Sequence, residues 1–256
     1  MTCDLDDRGF LTVRDHQIEY RFLAPNLSGR PTLVLLHEGL GSVALWKAFP
    51  EQLRDATGFG VFVYSRIGYG RSDPCALPRS IRYMHEEALH WLPAILDAAR
   101  IGSHVLLGHS DGGSIAVIGA ASRSESQSDQ LKAIMLFAPH FFVEDISLHS
   151  IREAGLRYDD ELRARLQFYH GDNVDVAFKG WHDAWMTPEF ADWNIEEELR
   201  AVHVPLLMLQ GEQDEYGTRR QIDAVVDAGL SRSYTVLIPE CRHSPHFDQK
   251  ETVLSA

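Results

Sequence analysis

The most informative chemistry in this chain lies in residues 106–116, LLGHSDGGSIA, where a serine stands between two glycines at the end of an apolar run. Gly108 and Gly112 each lie two positions from Ser110. Because glycine has no Cβ, it allows a bend too tight for larger side chains. A serine on such a strand-to-helix bend is strained and points its hydroxyl away from the sheet, as in a nucleophile elbow. The pattern predicts a nucleophile, and a simple turn is the alternative interpretation.

A serine hydroxyl is a weak nucleophile and needs a base. After an elbow of this kind, an acid and then a histidine are expected on loops that follow later strands. Asp214 follows the apolar run LLMLQG, and His243 follows YTVLIPE. We therefore predict that His243 takes the serine proton and that Asp214 orients its ring. Neighbouring residues of the same types leave alternatives at both positions: Glu212, Glu215 and His246.

Acyl transfer also needs two N–H groups that stabilise the oxyanion. The residue after the nucleophile, Asp111, supplies one candidate. The loop HEGLGS after an earlier apolar run supplies the other, with Gly39 as the predicted donor. Glu38 and Leu40 are alternatives, and the glycines of this loop also suit an ordinary turn.

These residues require a scaffold that brings distant loops together. Apolar runs alternate with helical patterns along most of the chain, which predicts an α/β fold with a mostly parallel, doubly wound sheet of about eight strands. The interpretation starts with an antiparallel hairpin over residues 10–24. The other predicted strands are 31–39, 60–66, 104–110, 131–139, 205–211 and 233–240. The predicted helices of the alternating part are 46–56, 80–100 with Ser80 as N-cap, 111–122, 219–230 and a short one from about Phe247.

Residues 140–203 interrupt this alternation with helical patterns only. We therefore predict a core of residues 1–139 and 204–256, with a helical cap over residues 140–203 inserted before the last two strands. Aromatic residues are frequent in the insertion, and they suit either packing onto the core or an apolar substrate pocket. The candidate substrate-binding residues are Glu38, Leu40, His140, Phe141, Trp181, Trp185 and His246.

Bulk composition narrows the class of protein. The chain has 256 residues, 45% of them hydrophobic, and a net charge of −13. That charge disfavours nucleic acid and anionic membranes as partners. The acidic N-terminus is unlike a secretory signal, and no apolar run approaches the ~18 residues of a membrane span. Three distant cysteines, Cys3, Cys75 and Cys241, predict reduced thiols in a cytoplasmic protein and fit no metal site. The oligomeric state stays open.

Taken together, HEGLGS, SRIGYGRSD, GHSDGG, GEQDEYG and CRHSPH resemble the α/β-hydrolase superfamily over nearly the whole chain, and its small bacterial esterase-like members in particular. The resemblance implies a Ser110–Asp214–His243 triad, an acyl-enzyme and no cofactor. Glu38 and Asp111 depart from many relatives. Their charges would disfavour substrates with an anionic acyl part unless Arg66 neutralises them.

The expected function is therefore that of a serine hydrolase, a carboxylesterase acting on a small, largely apolar ester, thioester or lactone. Two alternatives remain: hydrolysis of a carbon–carbon bond in a ring-fission product, and a ligand receptor with little turnover. A serine at position 110 argues against epoxide hydrolases and haloalkane dehalogenases, since both need a carboxylate nucleophile.

Overall fold

A computed structural model describes residues 5–122 and 129–256, so the predicted thiol of Cys3 lies outside it. Eight strands form one sheet in the order β1-β2-β4-β3-β5-β6-β7-β8. Strands β1 and β2 form the predicted antiparallel hairpin, β2 pairs antiparallel with β4, and the other pairs are parallel. The strands are β1 (Arg8–Val13), β2 (His16–Leu23), β3 (Thr32–Leu36), β4 (Gly60–Tyr64), β5 (His104–His109), β6 (Leu131–Phe137), β7 (Leu206–Gly211) and β8 (Ser233–Ile238). The predicted fold class is confirmed.

The central strands are largely apolar, as expected for a sheet that is covered on both faces. Alternate residues of β3 enter different cores: Val34 and Leu36 lie in one hydrophobic cluster, and Leu33 and Leu35 in the other. This is the two-residue period of a β-strand, with each side of the sheet packed against helices. Since the central strands are parallel, the loops after β3, β5, β7 and β8 all leave the sheet at the same edge.

The helices cover both faces and fill the segment between β6 and β7. They are α1 (Phe49–Thr57), α2 (Tyr83–Glu86), α3 (Leu92–Ala98), α4 (Asp111–Ala121), α5 (Asp145–Leu156), α6 (Arg163–His170), α7 (Val174–Met186), α8 (Glu196–Arg200), α9 (Arg220–Asp227), α10 (Pro245–Asp248) and α11 (Lys250–Ser255). Helices α5 to α8 lie in the predicted insertion, as does an isolated antiparallel bridge between Phe142 and Asn194.

Two helix starts differ from the sequence prediction. Ser80 is not an N-cap: its hydroxyl accepts a hydrogen bond from the Arg82 backbone N–H at 3.1 Å, and α2 begins after Arg82. This bond to residue i+2 makes a local turn in place of the cap. A π-helical turn, Glu87–Trp91, then links α2 to α3. Helix α1 begins later than predicted because Pro50, which lacks an N–H, belongs in the first turn.

None of the helices within residues 5–122 and 129–256 combines the length and the hydropathy that a bilayer span requires.

Candidate active site

Ser110 occupies the sharp bend between β5 and α4. Its backbone has φ 53° and ψ −120°, an uncommon conformation for a residue other than glycine. A Cβ on Gly108 would lie 2.1 Å from the Gly112 carbonyl oxygen, and a Cβ on Gly112 would lie 2.0 Å from the Leu36 carbonyl oxygen. Both approaches are to backbone, which cannot move aside as a flexible side chain can. The glycines around the serine are therefore a steric requirement of this bend.

Asp214 and His243 meet at the edge of the sheet that follows β7 and β8. Their Oδ1 and Nδ1 atoms lie 2.8 Å apart. The same Oδ1 accepts the backbone N–H groups of Tyr216 at 2.8 Å and Gly217 at 3.3 Å. Gln210 donates its side-chain amide to Oδ2 at 2.6 Å. Four donors thus hold the carboxylate, and one of them is the imidazole.

The surroundings lower the pKa of Asp214 and raise that of His243, which favours the charged forms of both side chains. Burial alone would raise the pKa of Asp214, but the His243 ring and the Tyr216 amide outweigh it and lower that pKa. Burial alone would lower the pKa of His243, but the charge of Asp214 and the hydrogen bond between them raise it. The ring is therefore a stronger base than an ordinary histidine.

The alternative residues lie elsewhere. Glu215 accepts the backbone N–H of His243 at 3.3 Å and pairs with Arg242 at 2.9 Å, so it contacts the main chain of the loop and not the ring. Glu212 is exposed. His246 is 3% exposed. Its ring packs among Trp46, Phe49, Phe137 and Phe247. The expectation that His246 binds substrate is therefore dropped: α10 turns its ring into the aromatic core.

Ser110 and His243 belong to neighbouring segments. His109, which directly precedes the serine, bonds through Nε2 to the His243 backbone carbonyl at 2.8 Å, and the two rings are 5.1 Å apart between centroids. Within the described part of the chain, the Ser110 hydroxyl makes no hydrogen bond to another residue. A catalytic bond between Ser110 and His243 would have to form when substrate binds, and such bonds are often long in free enzymes.

The two predicted oxyanion donors are both available. Neither the Gly39 nor the Asp111 backbone N–H donates to an acceptor among residues 5–122 and 129–256. Trp181 of α7 covers Gly39 so closely that a Cβ there would lie 2.2 Å from the indole Nε1. The N–H of the alternative residue, Leu40, likewise donates to no acceptor in these segments, while the Leu40 carbonyl accepts a bond from His170 at 2.9 Å.

The two unusual acids have different surroundings. Asp111 is 1% exposed, accepts the Tyr83 hydroxyl at 2.5 Å, and lies 4.0 Å from the Arg66 guanidinium. Burial raises its pKa above the ordinary value, while Arg66 and Tyr83 oppose that rise. The Glu38 carboxylate lies 3.6 Å from Nδ1 of His109, and its side chain remains 28% exposed. Arg66 therefore pairs with Asp111, whereas its bond to Glu38 is to the backbone carbonyl.

The other candidate substrate-binding residues divide into two groups. Trp181 packs on Gly39, and the ring of His140 lies between Trp185 at 5.2 Å and His243 at 5.9 Å, so these side chains border the site. Phe141 does not: it is fully buried in the core, and its backbone N–H donates to the Gln221 side chain at 2.8 Å. The expectation that Phe141 contacts substrate is dropped for that reason.

Sequence reasoning missed several partners of these residues. Tyr83, which bonds to Asp111, lies on a helix remote from every motif, and nothing in its local sequence marks it. Gln210 is the next-to-last residue of β7 and is buried, and a polar residue in such a position is itself a signal that a partner is needed. In the described residues, no group of three or more His, Cys, Asp or Glu side chains is arranged to hold a metal ion.

Comparison with curated proteins gives partial matches. The chain is 29% identical to Epoxide hydrolase 4 of Mus musculus over 143 residues, which are 55% of this chain and 38% of that protein. It is 30% identical to a (lyso)-N-acylphosphatidylethanolamine lipase of Bos taurus over 120 residues, 47% of this chain and 33% of that lipase. The matched regions thus span well under half the length of either relative.

Solved structures match over nearly the whole fold. A bacterial membrane phospholipase A superposes with a TM-score of 0.77 at 20% identity, covering 97% of this chain and 83% of that one. The enol-lactonase of Burkholderia xenovorans LB400 gives 0.71 at 17% identity, covering 96% and 97%. At these identities the likeness concerns the fold alone. The model of the alpha/beta hydrolase family, in contrast, matches the sequence over residues 33–256. The chain therefore belongs to the alpha/beta hydrolase family.

Proposed function

We propose that this protein is a serine hydrolase that cleaves small, largely apolar carboxylic esters through an acyl-enzyme. The observation that carries the proposal is the 2.8 Å bond between His243 and Asp214 at the sheet edge where Ser110 sits on its strained bend. A histidine polarised by a buried carboxylate, next to an unbonded serine hydroxyl, is the arrangement that nucleophilic acyl transfer needs.

The reaction proceeds in two steps, acylation of Ser110 and hydrolysis of the acyl-enzyme. Ser110 Oγ attacks the ester carbonyl while Nε2 of His243 takes its proton, and Asp214 stabilises the imidazolium. The N–H groups of Gly39 and Asp111 stabilise the tetrahedral oxyanion. His243 then gives its proton to the departing alkoxide, which leaves as the alcohol. In the second step, His243 takes a proton from water as the water attacks the acyl-enzyme, and returns a proton to Ser110.

The residues around the nucleophile support an apolar substrate. The rings of Trp181 and Trp185 border Gly39 and His140, and both indoles are almost fully buried. The names lipase, phospholipase A and enol-lactonase among the similar proteins support an ester or lactone bond. Ser110 argues against the chemistry named in Epoxide hydrolase 4, because a hydroxyl suits acyl transfer rather than displacement at carbon.

Labelling with a fluorophosphonate probe tests the proposal directly. Wild type should be labelled covalently and Ser110→Ala should not. Ser122→Ala is the matched control, because Ser122 closes α4 with a bond to the Gly119 carbonyl and lies outside the site. Folded wild type that resists the probe would refute the nucleophile.

A substrate panel then defines the class. p-Nitrophenyl acetate and butyrate, a thioester and an enol-lactone should turn over faster than monoesters of dicarboxylic acids, because Glu38 adds negative charge near the site. Preference for the dicarboxylate monoesters would contradict the role given to Glu38. Cleavage of a ring-fission diketone without ester turnover would favour carbon–carbon hydrolysis. Labelling without turnover of any substrate would favour a receptor.

A further inference from the structure

One backbone carbonyl in the oxyanion loop carries an unusual number of hydrogen bonds. The Glu38 carbonyl oxygen accepts Nδ1 of His37 at 2.7 Å, Nη2 of Arg66 at 3.0 Å and the backbone N–H of Gly41 at 3.1 Å. The ring of His37 is oriented in turn, since its Nε2 accepts the Arg66 backbone N–H at 3.1 Å. This carbonyl is therefore held firmly toward the interior of the protein.

The direction of that carbonyl decides the direction of the next amide. In a planar trans peptide, the C=O of one residue and the N–H of the following residue point in opposite directions. Since the Glu38 carbonyl points inward to Arg66 and His37, the Gly39 N–H points away from them. It has no acceptor within the described segments. By holding the Glu38 carbonyl inward, Arg66 and His37 thus leave the Gly39 N–H free to bind a substrate oxygen.

Arg66 also reaches the other half of the proposed oxyanion hole. Its Nη1 donates to the His37 carbonyl at 2.6 Å, and Nη2 lies 4.0 Å from the carboxylate of Asp111, the residue with the second donor amide. The same carboxylate oxygen of Asp111, Oδ2, accepts the Tyr83 hydroxyl. Tyr83 in turn accepts the indole N–H of Trp185, from α7, at 3.0 Å. A continuous polar chain therefore runs from the insertion to both donor segments.

We propose that Arg66 is a positioning residue for catalysis, which orients the Gly39 amide through the Glu38 carbonyl and holds Asp111 against Tyr83, so that both oxyanion donors are set before substrate arrives. The inference rests on the proposed function. Arg66 is 1% exposed. Its planar guanidinium holds several N–H groups in fixed directions, which a lysine ammonium cannot reproduce. Arg66 acts from behind the loop and is not expected to touch substrate.

The variants Arg66→Lys and Arg66→Gln test this role. Arg66→Lys keeps the positive charge but loses the planar set of N–H donors. Arg66→Gln also leaves the Asp111 carboxylate without a positive charge from residue 66. We expect kcat for p-nitrophenyl butyrate to fall at least tenfold in both, with KM within about twofold, and more in Arg66→Gln. The ceiling is the ~10²–10³-fold loss known for removal of one oxyanion donor. Equal kcat in wild type and both variants would overturn the proposal.

A second readout separates positioning from general damage. A trifluoromethyl ketone forms a tetrahedral adduct with an oxyanion, and the corresponding methyl ketone reports ground-state binding. The inhibition constant of the trifluoromethyl ketone should rise by the same factor as kcat/KM falls, while that of the methyl ketone stays unchanged. A parallel rise for both ketones would show that the pocket as a whole is disturbed, and would overturn the inference.

Controls distinguish the possible failures. Arg21→Lys changes another arginine whose side chain is largely buried, which pairs with Glu51 at 2.5 Å and contacts neither donor loop nor Tyr83, so kcat should be retained. If both Arg66 variants fail to fold, Tyr83→Phe decides: unchanged trifluoromethyl ketone affinity in that variant refutes the polar chain. Wild type without ester turnover or labelling refutes the proposed function itself, whereas active wild type with fully active Arg66 variants refutes only this inference.

Discussion

Replacing Asp214 with asparagine isolates the charge of the carboxylate from its geometry. Oδ1 of Asp214 accepts His243 and two backbone N–H groups, those of Tyr216 and Gly217. An asparagine should keep its oxygen at this point, because its NH₂ group would otherwise face two backbone donors. At the other position the NH₂ faces one donor, the Gln210 amide, which can turn to present its unpartnered Oε1. His243 therefore continues to donate from Nδ1 and keeps the tautomer that leaves Nε2 free to accept a proton.

The expected loss follows from the charge alone. An imidazolium and a carboxylate with charge centres about 4 Å apart attract by about 4 kcal/mol at an effective dielectric constant of ~20. The neutral hydrogen bond that remains contributes about 1 kcal/mol. The barrier should therefore rise by about 3 kcal/mol, which lowers kcat on the order of 10²-fold. When asparagine instead forces the wrong histidine tautomer, the loss is about 10⁴-fold.

The assay is kcat and the pH profile of kcat/KM for p-nitrophenyl butyrate, with Asp214→Ala as the variant that loses orientation as well as charge. His243 acts as a base only when neutral, and Asp214 raises its pKa. Wild-type activity is thus lost as the pH falls through that raised pKa, and in Asp214→Asn the acidic limb should move to lower pH. A loss near 10⁴-fold in a folded protein would refute the argument about the tautomer. A loss below tenfold would refute the role of the charge.

Three further outcomes follow from the geometry. Gly112→Ala should lower the free energy of unfolding by about 4 kcal/mol or more in urea melts, because its Cβ would meet a main-chain oxygen of β3 at 2.0 Å; a cost below about 1 kcal/mol would show that the bend can relax. Gly39→Ala should lower kcat/KM by up to about 10²-fold, since its methyl group displaces the Trp181 indole and shifts the donor. Adding Trp181→Ala should restore part of the activity, and no restoration would contradict the steric explanation. Glu215→Gln should move the acidic limb of kcat/KM to lower pH with kcat nearly retained, because the charge of Glu215 adds to that of Asp214 in raising the pKa of His243. An unmoved limb would argue against that influence.

Some of the candidate site was predictable from the sequence because its signal is local. The bend at Ser110 depends on neighbours two residues away, and the steric conflict that demands Gly108 and Gly112 is visible in the spacing alone. The strands were predictable for a similar reason, since an uninterrupted apolar run of five or six residues is typical of a strand buried on both faces. Their parallel arrangement then brings Asp214 and His243 to the same edge as the serine.

The choice among neighbours needed tertiary structure. Asp214 and Glu215 are adjacent, yet only the first faces the ring, because the Tyr216 and Gly217 amides hold its carboxylate. His243 stays in the loop, whereas the short helix from Pro245 turns His246 into the core.

The sequence by itself determined the sheet, the strained serine and the order of acid and histidine, because each depends on local sterics or on chain order. The polar chain from Trp185 through Tyr83 to Asp111, and the hold of Arg66 on the Glu38 carbonyl, were decided only by the packing of distant helices and loops. Buried polar groups need partners, but their identity depends on which segments the fold brings within 3 Å or so of one another.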